Sequence, residues 1–133
     1  MNATVPTIAI YAGLMGLLAA ALTLNVILNR VRSGVEAGDG GVASLAQAIR
    51  AHANFTEQAP IALILIACAE ASGARGIVVS ALGVVLVVSR LAAAYALNRS
   101  IRQSPLRQFA GGLSGLLLVA ASAAVLLAAA GIR

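Results

Sequence analysis

Residues 48–60 read Ala-Ile-Arg-Ala-His-Ala-Asn-Phe-Thr-Glu-Gln-Ala-Pro and bring Arg50, His52, Asn54 and Glu57 into one short stretch. On a helix, at about 100° per residue, Arg50, Asn54 and Glu57 fall at about 0°, 40° and −20°. They form a single polar stripe roughly two turns long. A guanidinium grips a planar anion through two parallel hydrogen bonds, an amide both donates and accepts, and a carboxylate accepts from an ammonium. A zwitterionic small molecule carrying a carboxylate and an amine would satisfy all three groups. His52 falls near 200° on the same wheel, at about 100° per residue, so it faces another helix or the interfacial zone. The competing reading is structural. Glu57 could pair with Arg50 on its own helix, or with Arg90 on a neighbour, in a buried network that fixes helix register.

The stripe has to be carried by a membrane-spanning helix. Only 10% of the 133 residues are charged and 61% are hydrophobic, against about 25% charged in an ordinary soluble domain. A bilayer core about 30 Å thick takes about 20 apolar residues per helix. Four such segments are legible, at about residues 6–28, 42–71, 77–97 and 109–132. They fill the chain and predict a single all-α membrane domain over residues 1–133, a four-transmembrane-helix bundle. The second segment carries the stripe. A charged side chain at the centre of a span costs at least ~2.5–3.5 kcal/mol, and those that persist face a protein interior or water and usually serve a function. Pro60, following the stripe, predicts a kink that frees a backbone carbonyl.

The connections set an orientation. Loops one and three share a side and hold Arg30, Arg32, Arg99, Arg102 and Arg107, whereas Arg75 and Arg133 mark the other. The excess of arginine predicts loops one and three in the cytoplasm and both termini outside. All nine basic residues are arginine. With the abundance of Ala, Gly and Val, this composition suits a high-GC bacterial genome and an inner membrane. The net charge of +5 reports topology in such a chain and does not imply nucleic acid. Residues 1–5 lack the basic start of a cleavable signal peptide. Gly13 with Gly16, and Gly111 with Gly115, are small-residue pairs that favour close helix approach. The lone Cys68 has no cation or base near it in sequence and reads as a small hydrophobe. One histidine and four scattered acids give no metal ligand set. Arginines at the mouth of the bundle anchor to anionic lipid, or stabilise an anion such as a thiolate at the membrane surface.

The run Arg50-x-x-x-Asn54-x-x-Glu57-x-x-Pro60, opening the second of four short spans, resembles the signature of the MAPEG family, the membrane-associated proteins in eicosanoid and glutathione metabolism. Arg30 at the end of the first span and Arg90 late in the third, followed by an arginine-rich loop, extend the resemblance over nearly the whole chain. It implies a homotrimer that binds glutathione, or a related thiol, between subunits near the cytoplasmic face. By that likeness Arg30, Arg50, Asn54 and Glu57 are expected glutathione contacts. His52 stands where some members carry a polar contact, and Gln58 and Arg90 complete the expected set. An arginine between the third and fourth spans activates the thiol in catalytic members, and Arg102 and Arg107 are the nearest to that place here. The chain departs from the eicosanoid enzymes in having Gln58, Ala93 and Leu97 where they have tyrosines. The expected activity is a glutathione-dependent transferase or peroxidase acting on lipophilic electrophiles or lipid hydroperoxides, with membrane lipid and a second copy of the chain as partners. The alternative is a non-catalytic lipid- or partner-binding member of the same family.

Overall fold

The computed structural model describes residues 6–132; Arg133 and residues 1–5 lie outside them. Within them the chain forms four helices: α1 (Thr7–Ser33), α2 (Ala43–Ala71), α3 (Gly76–Arg99) and α4 (Pro105–Ala129). The helices α1, α3 and α4 are each long and apolar enough to cross a membrane. The helix α2 is longer than any of them but carries Arg50, His52 and Glu57. It packs along α1, α3 and α4, so it returns the chain across the same layer. The helices α2 and α3 form the central pair. The helix α1 packs on both, α4 packs on both, and α1 and α4 do not touch.

Local chemistry explains the helix ends. The helix α1 runs past the expected residue 28 to Ser33, because Arg30 and Arg32 in its last turn suit the negative end of the helix dipole. It stops at Gly34, whose φ of 66° is the left-handed cap that glycine adopts without a Cβ clash. The helix α4 starts at Pro105, ahead of the apolar run at residue 109. Ser104 caps it by accepting from the Arg107 backbone N–H at 3.2 Å, and proline suits the first helical turn. The turn between α2 and α3 is tight, closed by Ser72 N–H to Cys68 O and Ala74 N–H to Ala69 O. Helical structure in α2 continues unbroken through Pro60.

Small residues set the packing distance. The buried row of α2 is Leu45, Ala48, Ala51, Phe55, Ala59, Ala62, Ile66 and Ala69, at steps of three or four residues. The five alanines let α3 and α4 come close, and Ile66, Val79, Leu86, Leu97 and Leu117 fill the space between. A Cβ at Gly13, Gly16, Gly111 or Gly115 would meet nothing within 4 Å among the described residues. The glycine that matters inside the bundle is Gly83, where the Tyr11 ring of α1 lies so close that a Cβ would overlap it. The Tyr11 hydroxyl donates to the Ser80 carbonyl at 3.1 Å across the same contact.

Polar groups lash the two ends. On the side of loops one and three, Asn25 Nδ2 donates to Asn98 Oδ1 at 2.8 Å, and Asn29 Nδ2 donates back to Asn25 Oδ1 at 3.1 Å. Gln47 Nε2 reaches the Arg99 carbonyl at 3.3 Å. On the far side Glu70, at the end of α2, accepts from the backbone N–H of Thr7 at 2.6 Å and of Ile8 at 2.9 Å. The first turn of any helix leaves N–H groups without partners. Here a carboxylate from another helix supplies them, and its charge suits the positive end of the α1 dipole.

Candidate functional site

Arg90 is the centre of the polar interior. It sits on α3, only 2% exposed. Its Nη1 donates to Asn54 Oδ1 at 3.2 Å and its Nη2 to Ser114 Oγ, so one guanidinium ties α3 to α2 and to α4. Ser114 in turn donates to the Ala110 carbonyl at 2.6 Å. No carboxylate reaches Arg90 among the described residues. Its charge is met by neutral acceptors alone, and a buried charge without full pairing is costly. Next to it the Gln58 side chain is turned inward, and its buried Oε1 has no partner among the described residues.

These groups line a cleft of about 90 Å³ between α2, α3 and α4, walled by Asn54, Gln58, Arg90, Ala93, Leu97, Arg107 and Gly111. Drug-sized ligands occupy roughly 300–1,000 Å³. A volume of 90 Å³ accepts one functional group, such as a carboxylate or a thiol, and leaves the rest of a ligand outside. Arg107 stands at this cleft from the first turn of α4. Its Nη1 donates to the Ile101 carbonyl, and neither Nε nor Nη2 has a partner among the described residues. Two of its guanidinium nitrogens are therefore free to face an anion.

The stripe on α2 adjoins the cleft on the outer surface of the chain. Arg50 Nη1 and Nη2 donate to Glu57 Oε1 and Oε2 at 3.1 and 3.4 Å. Of the two partners expected for Glu57, the structure selects Arg50. The pair is open, with side-chain exposures of 42% and 52%. A second hollow, about 280 Å³, flanks Arg50 between α2 and Gly38 and Asp39 of loop one. Charges on a spanning helix face protein or water and avoid lipid tails. The face bearing Arg50 and Glu57 therefore meets either water or protein outside this chain.

The nine candidate residues divide in three. Asn54, Gln58, Arg90 and Arg107 meet at the cleft. Arg50 and Glu57 pair beside it. Arg30, His52 and Arg102 lie elsewhere in the same chain. Arg30 Nη1 holds loop one through the carbonyls of Val35, Glu36 and Gly38, at 3.3, 3.3 and 3.0 Å. His52 faces α1, with Nε2 3.2 Å from Thr23 Oγ1, so of the two settings expected for it the structure shows the neighbouring helix. Arg102 is exposed, and its backbone N–H donates to Ser100 Oγ at 3.1 Å. The sequence reading missed Ser114. The signal was present in the spacing of Arg107, Gly111 and Ser114, which fall four and then three residues apart on one face of α4.

Comparison with known proteins identifies the family. The sequence model of the MAPEG family matches residues 8–128. Inner membrane protein YecN of Escherichia coli, from strain K12 and from strain O6:H1, is 40% identical over 83 residues. The match takes in 62% of this chain and 63% of each relative's length, so the chain spans less than two thirds of the relatives it resembles. No solved structure matches. A family match over nearly the whole chain, on a four-helix membrane bundle with the Arg50-Asn54-Glu57 stripe on its second helix, establishes that this protein belongs to the MAPEG family.

Proposed function

We propose that the protein is a glutathione-dependent membrane transferase or peroxidase, assembled as a homotrimer and active on lipophilic electrophiles or lipid hydroperoxides. The observation that carries this reading is the meeting of Arg107, with two free guanidinium nitrogens, and the unpartnered Gln58 amide in one cleft beside the open Arg50–Glu57 pair. The thiol end of glutathione occupies the cleft near Arg107, whose positive charge favours the thiolate. The peptide's carboxylates and amine lie along Arg50, Asn54 and Glu57. A second copy of the chain covers that face. The thiolate sulfur attacks an electrophilic carbon, a carbon–sulfur bond forms, the leaving group departs, and the thiol proton passes to water. Apolar substrate reaches the sulfur from the bilayer. The inner membrane location of the relatives, and the arginines of loops one and three, favour a cytoplasmic mouth in an inner membrane.

The test is turnover of a chlorinated nitroaromatic with glutathione by the purified protein in detergent. The expected result is conjugate formation above the uncatalysed rate, with an ultraviolet thiolate signal at saturating glutathione. Arg107→Gln should lower the rate at least about tenfold, within the range seen when one charge-stabilising donor is removed, while Arg102→Gln leaves it near the parent value. Absence of both turnover and thiolate overturns the enzyme reading. The small cleft volume, together with Ala93 and Leu97 in place of tyrosines, favours the second reading in that case: a non-catalytic family member that binds lipid or a partner.

A further inference from the structure

The end of the bundle opposite the cleft carries a larger hollow with different chemistry. A groove of about 510 Å³ lies between the start of α3 and the end of α4. Ala74 and Val78 form one wall, and Ala120, Ala124 and Leu127 the other. The alanines create the space, because side chains this short cannot bridge the two helices. Arg75, the residue that precedes α3, stands at the mouth and is the one side chain of the lining that can form a hydrogen bond. The volume lies in the roughly 300–1,000 Å³ range of ligand sites. Walls of this kind offer water no partners, so hydrocarbon fills them better than solvent does.

The charge at the mouth narrows the choice of occupant. The Arg75 side chain is exposed and makes no hydrogen bond or ion pair among the described residues. Glu70 is the only acid at this end among them, and its two oxygens are taken by the Thr7 and Ile8 N–H groups. Arg75 is thus left without a counter-ion among the described residues. A ligand that satisfies the whole groove has an anionic head level with Arg75 and a hydrocarbon tail running along α3 and α4 into the span. We propose that the groove holds an acyl chain of an anionic phospholipid, with the lipid phosphate on the Arg75 guanidinium. This site is independent of the thiol cleft and of any activity there.

Native mass spectrometry tests it. The full-length protein is reconstituted with equimolar phosphatidylglycerol and phosphatidylcholine, extracted in mild detergent, and the bound lipids are counted. Phosphatidylglycerol should be retained about fivefold over phosphatidylcholine, the ratio that ~1 kcal/mol per interfacial arginine gives. Arg75→Gln should bring the ratio to about one. Arg75→Lys, which keeps the charge at the groove mouth, should hold the ratio near the parent value. Ala124→Leu fills the groove and should remove the retained lipid while circular dichroism still reports a folded helical protein. The proposal fails if Arg75→Gln keeps the parent ratio, or if Ala124→Leu keeps the lipid. It also fails if Ala124→Leu lowers the oligomer mass with no change in lipid, because the occupant is then a second copy of the chain.

Discussion

Ser114→Ala removes one oxygen from the interior and tests how firmly Arg90 is held. The substitution leaves the shape almost unchanged, so the usual penalty for a cavity is small. What it removes is the acceptor of Arg90 Nη2, in a site where Arg90 is 2% exposed and water does not replace the lost partner. Hydrogen bonds to charged groups contribute about 1.5–3 kcal/mol, whereas neutral bonds between membrane helices average about 0.6 kcal/mol. Alanine is also the better helix former, which returns up to about 0.5 kcal/mol. The net loss should be about 1–2.5 kcal/mol, larger than the average neutral interhelical bond. Unfolding by sodium dodecyl sulfate in mixed micelles, followed by far-ultraviolet circular dichroism, measures it. The same substitution in an Arg90→Met background should keep only the helix-propensity gain of up to about 0.5 kcal/mol, so the double-mutant cycle should return about 1.5–3 kcal/mol as coupling, the upper part of what contacting residues show. A loss near zero in the parent, or an equal loss in the Arg90→Met background, would refute the assignment of Ser114 as the acceptor that holds Arg90.

Three further outcomes follow from the structure. Glu70→Ala strips the partners from the Thr7 and Ile8 N–H groups and should cost about 1–2 kcal/mol, the upper part of the capping range; faster amide exchange confined to the first turn of α1 would identify the cause, and unchanged exchange there would exclude it. Gly83→Ala drives a methyl group into the Tyr11 ring and should destabilise by about 1–3 kcal/mol, as overpacking does; Tyr11→Ala should relieve most of that loss in the double variant, and no relief would mean that the strain lies elsewhere. Glu57→Gln should change the stability of a monomer by no more than about 1 kcal/mol, because the pair is exposed, yet it should weaken self-association measured by analytical ultracentrifugation in detergent; unchanged association would place the pair against water.

Much of the fold was legible because membrane spans announce themselves by length and hydropathy, and α1, α3 and α4 do so. Their ends were less so. The hydropathy signal stops where arginines begin, but the α1 helix does not, since Arg30 and Arg32 favour its C-terminal turn. The stripe Arg50-Asn54-Glu57 was legible from helical spacing, and the Arg50–Glu57 pair follows from it. The partner of Arg90 was not. Glu57 was the natural electrostatic choice, yet the two helices turn Asn54 toward Arg90 and leave Glu57 outside. Contacts between helices far apart in sequence escape any periodicity within one helix, and Ser114, the Glu70 cap on α1 and the Asn25–Asn98 bond all belong to that class.

The central claim is that the cleft at Arg90 and Arg107, with the open Arg50–Glu57 pair, is a thiol-peptide site shared between copies of the chain. Calorimetric titration of glutathione into the purified protein in detergent tests it most directly. Saturable binding that is lost in Asn54→Ala and weakened in Glu57→Gln, with both variants folded, is the predicted result. No saturable heat with the parent protein, or binding that both substitutions leave unchanged, would contradict the account.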